Sequence, residues 1–188
     1  MKELIAFILQ FGNLHQQQID LVLSKAQKLY LPKDSYFSEA GKIPKYAGFV
    51  VEGVLRGCYY TNEGKEITRS FVSENSILYD YVNFEDNSAA TQYIQACTDC
   101  KLIVFSKKDW DELSQIIVNW DTIKNKMIQA CMYSKSRKGP VVSQDGTTRY
   151  LEFLKNHPLL VNRIPLRYIA SYLGVTQQSL SRIRKNIQ

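Results

Sequence analysis

The stretch Ile169-Ala-Ser-Tyr-Leu-Gly-Val-Thr-Gln-Gln-Ser-Leu-Ser-Arg-Ile-Arg-Lys185 reads as two short helical segments meeting at a glycine. Ala170 lets two helices approach closely, and Gly174 supplies the φ > 0 that a tight interhelical turn requires. Ile169, Leu173, Val175, Leu180 and Ile183 fall where two crossing helices must face a common core. Thr176 is placed to cap the second helix through its hydroxyl. The exposed positions that follow are Gln177 and Gln178, then Ser181, Arg182, Arg184 and Lys185. Gln can make two hydrogen bonds to the edge of adenine, and Arg two to guanine. A capped helix N-terminus also favours a phosphate. The pattern predicts a helix-turn-helix that reads DNA, against the simpler alternative of a surface helix with solvated basic side chains.

Charge points the same way. The 188-residue chain carries a net +6, but residues 1–121 hold 12 Lys+Arg and 16 Asp+Glu, a balance of −4. Residues 122–188 hold 12 Lys+Arg and 2 Asp+Glu, a balance of +10. A basic C-terminal third joined to an acidic remainder is expected to meet a polyanion. No apolar run approaches the ~18 residues that span a bilayer, so no membrane partner is expected. The N-terminal Met1-Lys-Glu-Leu-Ile-Ala-Phe-Ile-Leu-Gln10 reads as an amphipathic helix rather than a signal peptide. The expected location is the cytoplasm, with the four cysteines reduced.

Residues 3–30 read as two helices broken near Gly12-Asn13. From Leu31 to about Phe105 short runs rich in Tyr, Phe, Val and Ile take over, at 48–53, 54–60, 66–72, 91–96 and 101–105. Turn residues separate these runs, which predicts a sandwich or barrel. Ser106 is a helix cap for residues 107–113, and a longer helix should start at Asn119 or Asp121 and end at Gly139-Pro140. On it, Trp120, Ile123, Met127 and Ala130 form a narrow apolar seam suited to helix pairing, either with a partner chain or within the fold. Asp145 should cap a helix through Leu154, and Pro165 sits in the first turn of the next. A boundary is expected near residues 139–143.

The segment from Ile164 to Arg184 resembles the DNA-binding end of the Crp/Fnr family of bacterial regulators, most closely the form in Bacteroidetes-type members. Gly48-Phe-Val-Val-Glu-Gly-Val-Leu-Arg-Gly-Cys-Tyr-Tyr60 is similar to that family's barrel signature. The resemblance implies an α+β architecture: a cyclic-nucleotide-binding-type jelly-roll sensor over residues 1–118, a dimerisation helix over 119–138, and a helix-turn-helix domain over 142–188. It also implies base contacts at Gln177, Gln178 and Arg182, with Ser181 as a further candidate. Phosphate contacts are expected from Arg167, Thr176, Ser179, Arg184 and Lys185. The family often has Arg and Glu at the first two reading positions, so the glutamine pair implies a different operator. With the chain ending at Gln188, the β-hairpin wing is expected to be missing or reduced.

A cyclic-nucleotide pocket needs a buried Arg and the N–H groups of a Gly-containing turn on the phosphate. Between Arg69 and Lys101 there is no Lys, Arg or His, and between Gly64 and Gly139 no Gly. Cyclic AMP binding in the usual manner is therefore not expected. Tyr79, Tyr81, Phe84 and Tyr93 leave room for a different, apolar or aromatic effector, though such aromatics also serve as core. Cys97-Thr-Asp-Cys100 has metal-type spacing, but a single pair leading into an apolar strand reads as structural. His15 and His157 lie outside the barrel region, so neither haem nor a cupin-like enzyme site is expected there. The expected whole is a homodimeric, non-enzymatic regulator of double-stranded DNA with a near-palindromic operator and no cofactor or metal. A barrel that binds a protein partner is the other reading.

Overall fold

The computed structural model describes residues 1–78, 80–138 and 143–187, with side chains of 134–138 excepted. The Gly139-Pro140 helix stop, most of the expected boundary and Tyr79 lie outside the described residues.

Two short helices, α1 (Lys2–Ile8) and α2 (Gln16–Lys25), lead into eight strands: β1 (Gln27–Leu31), β2 (Tyr36–Ser38), β3 (Tyr46–Glu52), β4 (Leu55–Tyr60), β5 (Glu66–Val72), β6 (Ser76–Leu78), β7 (Tyr93–Ala96) and β8 (Cys100–Ser106). A one-turn helix, α3 (Tyr81–Glu85), lies between β6 and β7. After the strands come α4 (Lys107–Ile116), α5 (Trp120–Lys138), α6 (Gly146–Asn156), α7 (Leu166–Leu173) and α8 (Gln177–Ile187). The strands form two antiparallel four-stranded sheets, ordered β1-β8-β3-β6 and β2-β7-β4-β5.

Alternation along the strands builds the layers. Val50, Leu102 and Val104 point between the sheets, where they meet Leu55 and Ile94. Their neighbours Phe49, Ile103 and Phe105 point outward, under α1, α2, α4 and α5. A period of two on strands buried on both faces places consecutive apolar residues in two different cores. The second sheet is covered on its outer side: Val54, Cys97 and Phe71 pack with Phe153, Tyr168 and Tyr172 of the C-terminal helices.

Several expectations are corrected. Gln27–Leu31 is a strand rather than the end of a helix, because pairing with β8 (Leu29 opposite Leu102) puts Leu29 and Leu31 into the inter-sheet core. Strands β2 and β6 and helix α3, each of five residues or fewer, had no periodic signal long enough to show. Pro165 is the N-cap of α7, one position before its first turn.

The apolar seam of α5 also takes a different role from pairing with a second chain. Trp120, Ile123 and Met127 are buried in this chain's own core, with the Trp120 ring 5.7 Å from that of Trp110. Ile123 sits so close to Gly12 that a Cβ there would lie 2.6 Å from Ile123 Cγ1. Only Ala130 of the four is exposed, so the seam pairs α5 with its own barrel. The exposed face of α5 carries Thr122, Lys126, Gln129, Met132 and Tyr133 instead.

Candidate nucleic-acid interface

The α7–α8 hairpin is built as its residues require. Gly174 adopts φ 66°, ψ 32°, and the helix end is closed by Val175 N–H donating to Ala170 O (3.0 Å). A Cβ at Gly174 would also lie 3.2 Å from Arg149 Nη1. Thr176 Oγ1 accepts the Ser179 N–H at 3.1 Å, capping α8 as expected, and donates to Ser179 Oγ at 2.9 Å. Ile169, Ala170, Leu173 and Leu180 are buried, and Val175 and Ile183 pack against them. The Asp145 carboxylate likewise caps α6 through the Thr147 and Thr148 N–H groups.

With the apolar side of α8 sealed, Thr176, Gln177, Gln178, Ser179, Arg182 and Lys185 are exposed, and Ser181 and Arg184 are half-buried. The structure thus gathers eight of the nine expected DNA-facing residues on α8 and its cap. Arg167 stands apart on α7. Its Nη2 donates to the Tyr168 hydroxyl (3.0 Å), and its Cζ lies 4.8 Å from the centre of that ring.

Two arginines outside the expected DNA-facing set join these helices to the barrel. Arg56, the second residue of β4, is fully buried. Its guanidinium donates to Gln95 Oε1 (2.6 and 3.0 Å), to Glu66 Oε1 (2.6 Å) and to Thr68 Oγ1 (3.1 Å). Donation from Arg56 holds the Glu66 carboxyl below the usual carboxylate range. Arg163, just before α7, makes a two-pronged pair with Glu74, whose carboxyl is held down at about 2. A signal for Arg56 was present: a lone charge inside the apolar run Val54-Leu-Arg-Gly-Cys58 must be buried and paired, or the strand could not be central.

The barrel's own candidate chemistry takes a plain form. Cys97 and Cys100 are buried, and burial pushes the Cys97 thiol up to about 12. Among the described residues no group of three His, Cys, Asp or Glu could hold a metal ion. Phe84 is core, and the Tyr93 ring lies between those of Tyr36 (5.4 Å, tilted) and Tyr60 (5.5 Å, edge to face). Tyr81 alone of the three described effector candidates lines a cleft, of about 660 Å³, between β5–β6, α5 and the C-terminal helices. Arg69, Phe71, Met127, Leu160 and Tyr172 also line it. His157 ends α6 with its ring beside those of Phe153 and Tyr172.

Residues 28–116, which span β1 to α4, match the family of cyclic nucleotide-binding domains. The barrel is of the cyclic nucleotide-binding type. Solved structures extend the likeness beyond it. FixK2 from Bradyrhizobium japonicum shares 17% identity over 86% of this chain and 84% of its own, with a TM-score of 0.70. CLP, the c-di-GMP-responsive global regulator of Xanthomonas campestris, shares 15% identity over 93% and 92%, with a TM-score of 0.67. A protein assigned to the Crp/Fnr family of transcriptional regulators, from Eubacterium rectale, shares 16% over 93% and 84%, with a TM-score of 0.68. No curated protein sequence matches the chain. The cyclic nucleotide-binding-type barrel and its C-terminal helices therefore have the fold of Crp/Fnr-type regulators. Among the described residues no helix is long and apolar enough to cross a membrane.

Proposed function

We propose that the protein is a homodimeric, sequence-specific DNA-binding transcription regulator of Crp/Fnr type that acts in the cytoplasm and has no catalytic activity. The observation that carries this reading is the division of α8 into two sides. Leu180 and Ile183 lock it onto α6 and α7, while Gln177, Gln178 and Arg182 face outward behind the Thr176 cap. In this reading Gln177, Gln178, Ser181 and Arg182 contact bases, and Thr176, Ser179, Arg184 and Lys185 contact phosphates. Arg167 reaches a phosphate only by leaving the Tyr168 ring. The exposed face of α5, with Lys126, Gln129 and Met132, is where a second copy would pair. Pairing there would set two α8 helices about 34 Å apart, one DNA turn.

The barrel is proposed not to answer to cyclic AMP, because residues 70–100 contain no basic side chain to hold a phosphate. An effector, if the protein has one, is of another kind, and the cleft beside Arg69 is where it would touch barrel and reader together. Selection of bound duplexes from random DNA at fixed salt tests the function. Enrichment of a near-palindrome supports it, and equal binding to all duplexes overturns it. In the same preparation cyclic AMP should leave the melting temperature unchanged, since only a ligand of the folded state raises it.

A further inference from the structure

Among the described residues, Arg56 is the one charged side chain that is buried, and the regulator function proposed above does not use it. Its hydrogen bonds all go to the two strands flanking β4: Glu66 and Thr68 on β5, and Gln95 on β7. Gln95 is itself fixed by donation of its Nε2 to Asp34 O (3.0 Å). The barrel therefore satisfies this cation within its own sheet. One face of the guanidinium is covered by α7, whose Tyr168 ring has its centre 3.6 Å from Arg56 Cζ. A desolvated guanidinium over an aromatic face is a strong and directional contact.

One turn further along α7, Ser171 meets the same strand. β5 is the edge of its sheet, so one side of it lacks a strand partner. Ser171 Oγ accepts the Thr68 N–H at 2.9 Å and donates to Glu66 O at 3.3 Å. Glu66 and Thr68 thus act twice, their side chains on Arg56 and their backbone groups on Ser171. A sideways shift of α7 would uncover Arg56 and strip the Thr68 N–H of its acceptor in one movement. The opposite side of α7 carries Ile169 and Leu173, which pack with Leu180 of α8. Helix α7 is therefore held by the barrel on one side and holds the DNA-facing helix on the other.

We infer that Arg56 is a positioning residue for the DNA-reading hairpin: anchored by Glu66, Thr68 and Gln95, it seats Tyr168 and so sets the pose of α7 and α8 on the barrel. The inference rests on the regulator reading for its link to DNA, but the docking it describes can be measured without DNA. Such a contact is made or broken as a unit, so the reader has one docked pose rather than a continuum.

The test uses the full chain and the variants Tyr168→Leu, Tyr168→Phe and Arg56→Gln. Amide hydrogen exchange follows Thr68, whose N–H reports α7 docking, and the β3–β8 ladder, which reports whether the barrel is folded. Tyr168→Leu should speed exchange at Thr68 by about tenfold or more and leave β3–β8 unchanged, whereas Tyr168→Phe, which keeps the ring, should behave as wild type. Arg56→Gln should match Tyr168→Leu at Thr68. On the duplexes selected by wild type, Tyr168→Leu should lose its preference for one half-site spacing. Unchanged protection at Thr68 in Tyr168→Leu, or a Tyr168→Phe variant as exposed as Tyr168→Leu, overturns the inference. If wild type enriches no sequence, the regulator reading falls, and the exchange arm still decides whether Arg56 seats α7.

Discussion

Arg163 reaches back from the C-terminal helices to Glu74, whose carboxylate receives both of its Nη groups and also accepts the Gly53 N–H at 2.7 Å. The carboxylate thus ties the segment before α7 to the turn between β3 and β4 and to the start of β6. This pair and the Arg56–Tyr168 contact are separate polar ties across the same apolar seam.

Replacing Glu74 with Gln should lower stability by about 1–2 kcal/mol, more than an exposed pair and less than a buried one. The Glu74 carboxyl is depressed to about 2 in the folded chain against an ordinary value of 4.5. Its contribution is therefore complete above about pH 4.5 and disappears as pH falls toward 2. Denaturant melts of wild type and Glu74→Gln at pH 7 and at pH 3 should show the gap between them narrowing at the lower pH. A gap independent of pH would mean that the carboxylate charge is not what matters.

Arg182→Ala should cost about 1–3 kcal/mol on the selected duplex and relax discrimination at one base pair. Lys185→Ala should weaken all duplexes alike and reduce the slope of log K against log salt by about 1. Fluorescence anisotropy against a panel of single-base operator variants, at several salt concentrations, separates the two behaviours.

Gly174 has both a positive φ and the Arg149 guanidinium beside it, so two costs meet in Gly174→Ala. The variant should lose about 1–2 kcal/mol of stability, and Gly174→Asn less, because Asn tolerates the left-handed region. Thermal melting of the two variants side by side checks the order. An alanine variant as stable as wild type would show that the turn has another way to close.

Two substitutions on α5 should part cleanly. Trp120→Ala removes a fully buried ring and should destabilise by about 3–5 kcal/mol at every protein concentration. Met132→Asp, on the exposed face, should leave the melting of the monomer unchanged and weaken self-association. Sedimentation over a range of concentrations, read beside melting curves, distinguishes loss of core from loss of dimer.

Much of the architecture was legible because it is written in local patterns. Turn-bounded aromatic and β-branched runs marked five of the eight strands among the described residues, and Ser106, Asp145 and Thr176 marked three helix starts that the structure keeps. The hairpin was the most legible part of all. The identity of Ala170, Gly174 and Thr176 follows from backbone geometry that only a few residue types can meet, so sequence spacing alone placed it. The α5 seam shows the limit. A 3-4-3 spacing says that one side of a helix is buried, and is silent on whether the cover is the same chain or a second one. The absence of a basic residue from 70 to 100 was likewise plain in the sequence, since a missing side chain can be counted without coordinates.

What the sequence by itself determined is thus a set of elements, each with a buried and an exposed side. Only the tertiary structure decided which buried sides meet. Trp120 turned out to face Trp110, Ile123 to face Gly12 and Met127 to join the same core, and the β1 segment gave up its helical pattern because β8 offered it a strand edge and a core. Arg56, Tyr168 and Ser171 lie more than a hundred residues apart along the chain at their extremes and share no local signal. They come together because β5 is a sheet edge and α7 is the helix that covers it. A buried cation and an open strand edge are demands that the barrel sequence creates, and only long-range packing shows which residues answer them.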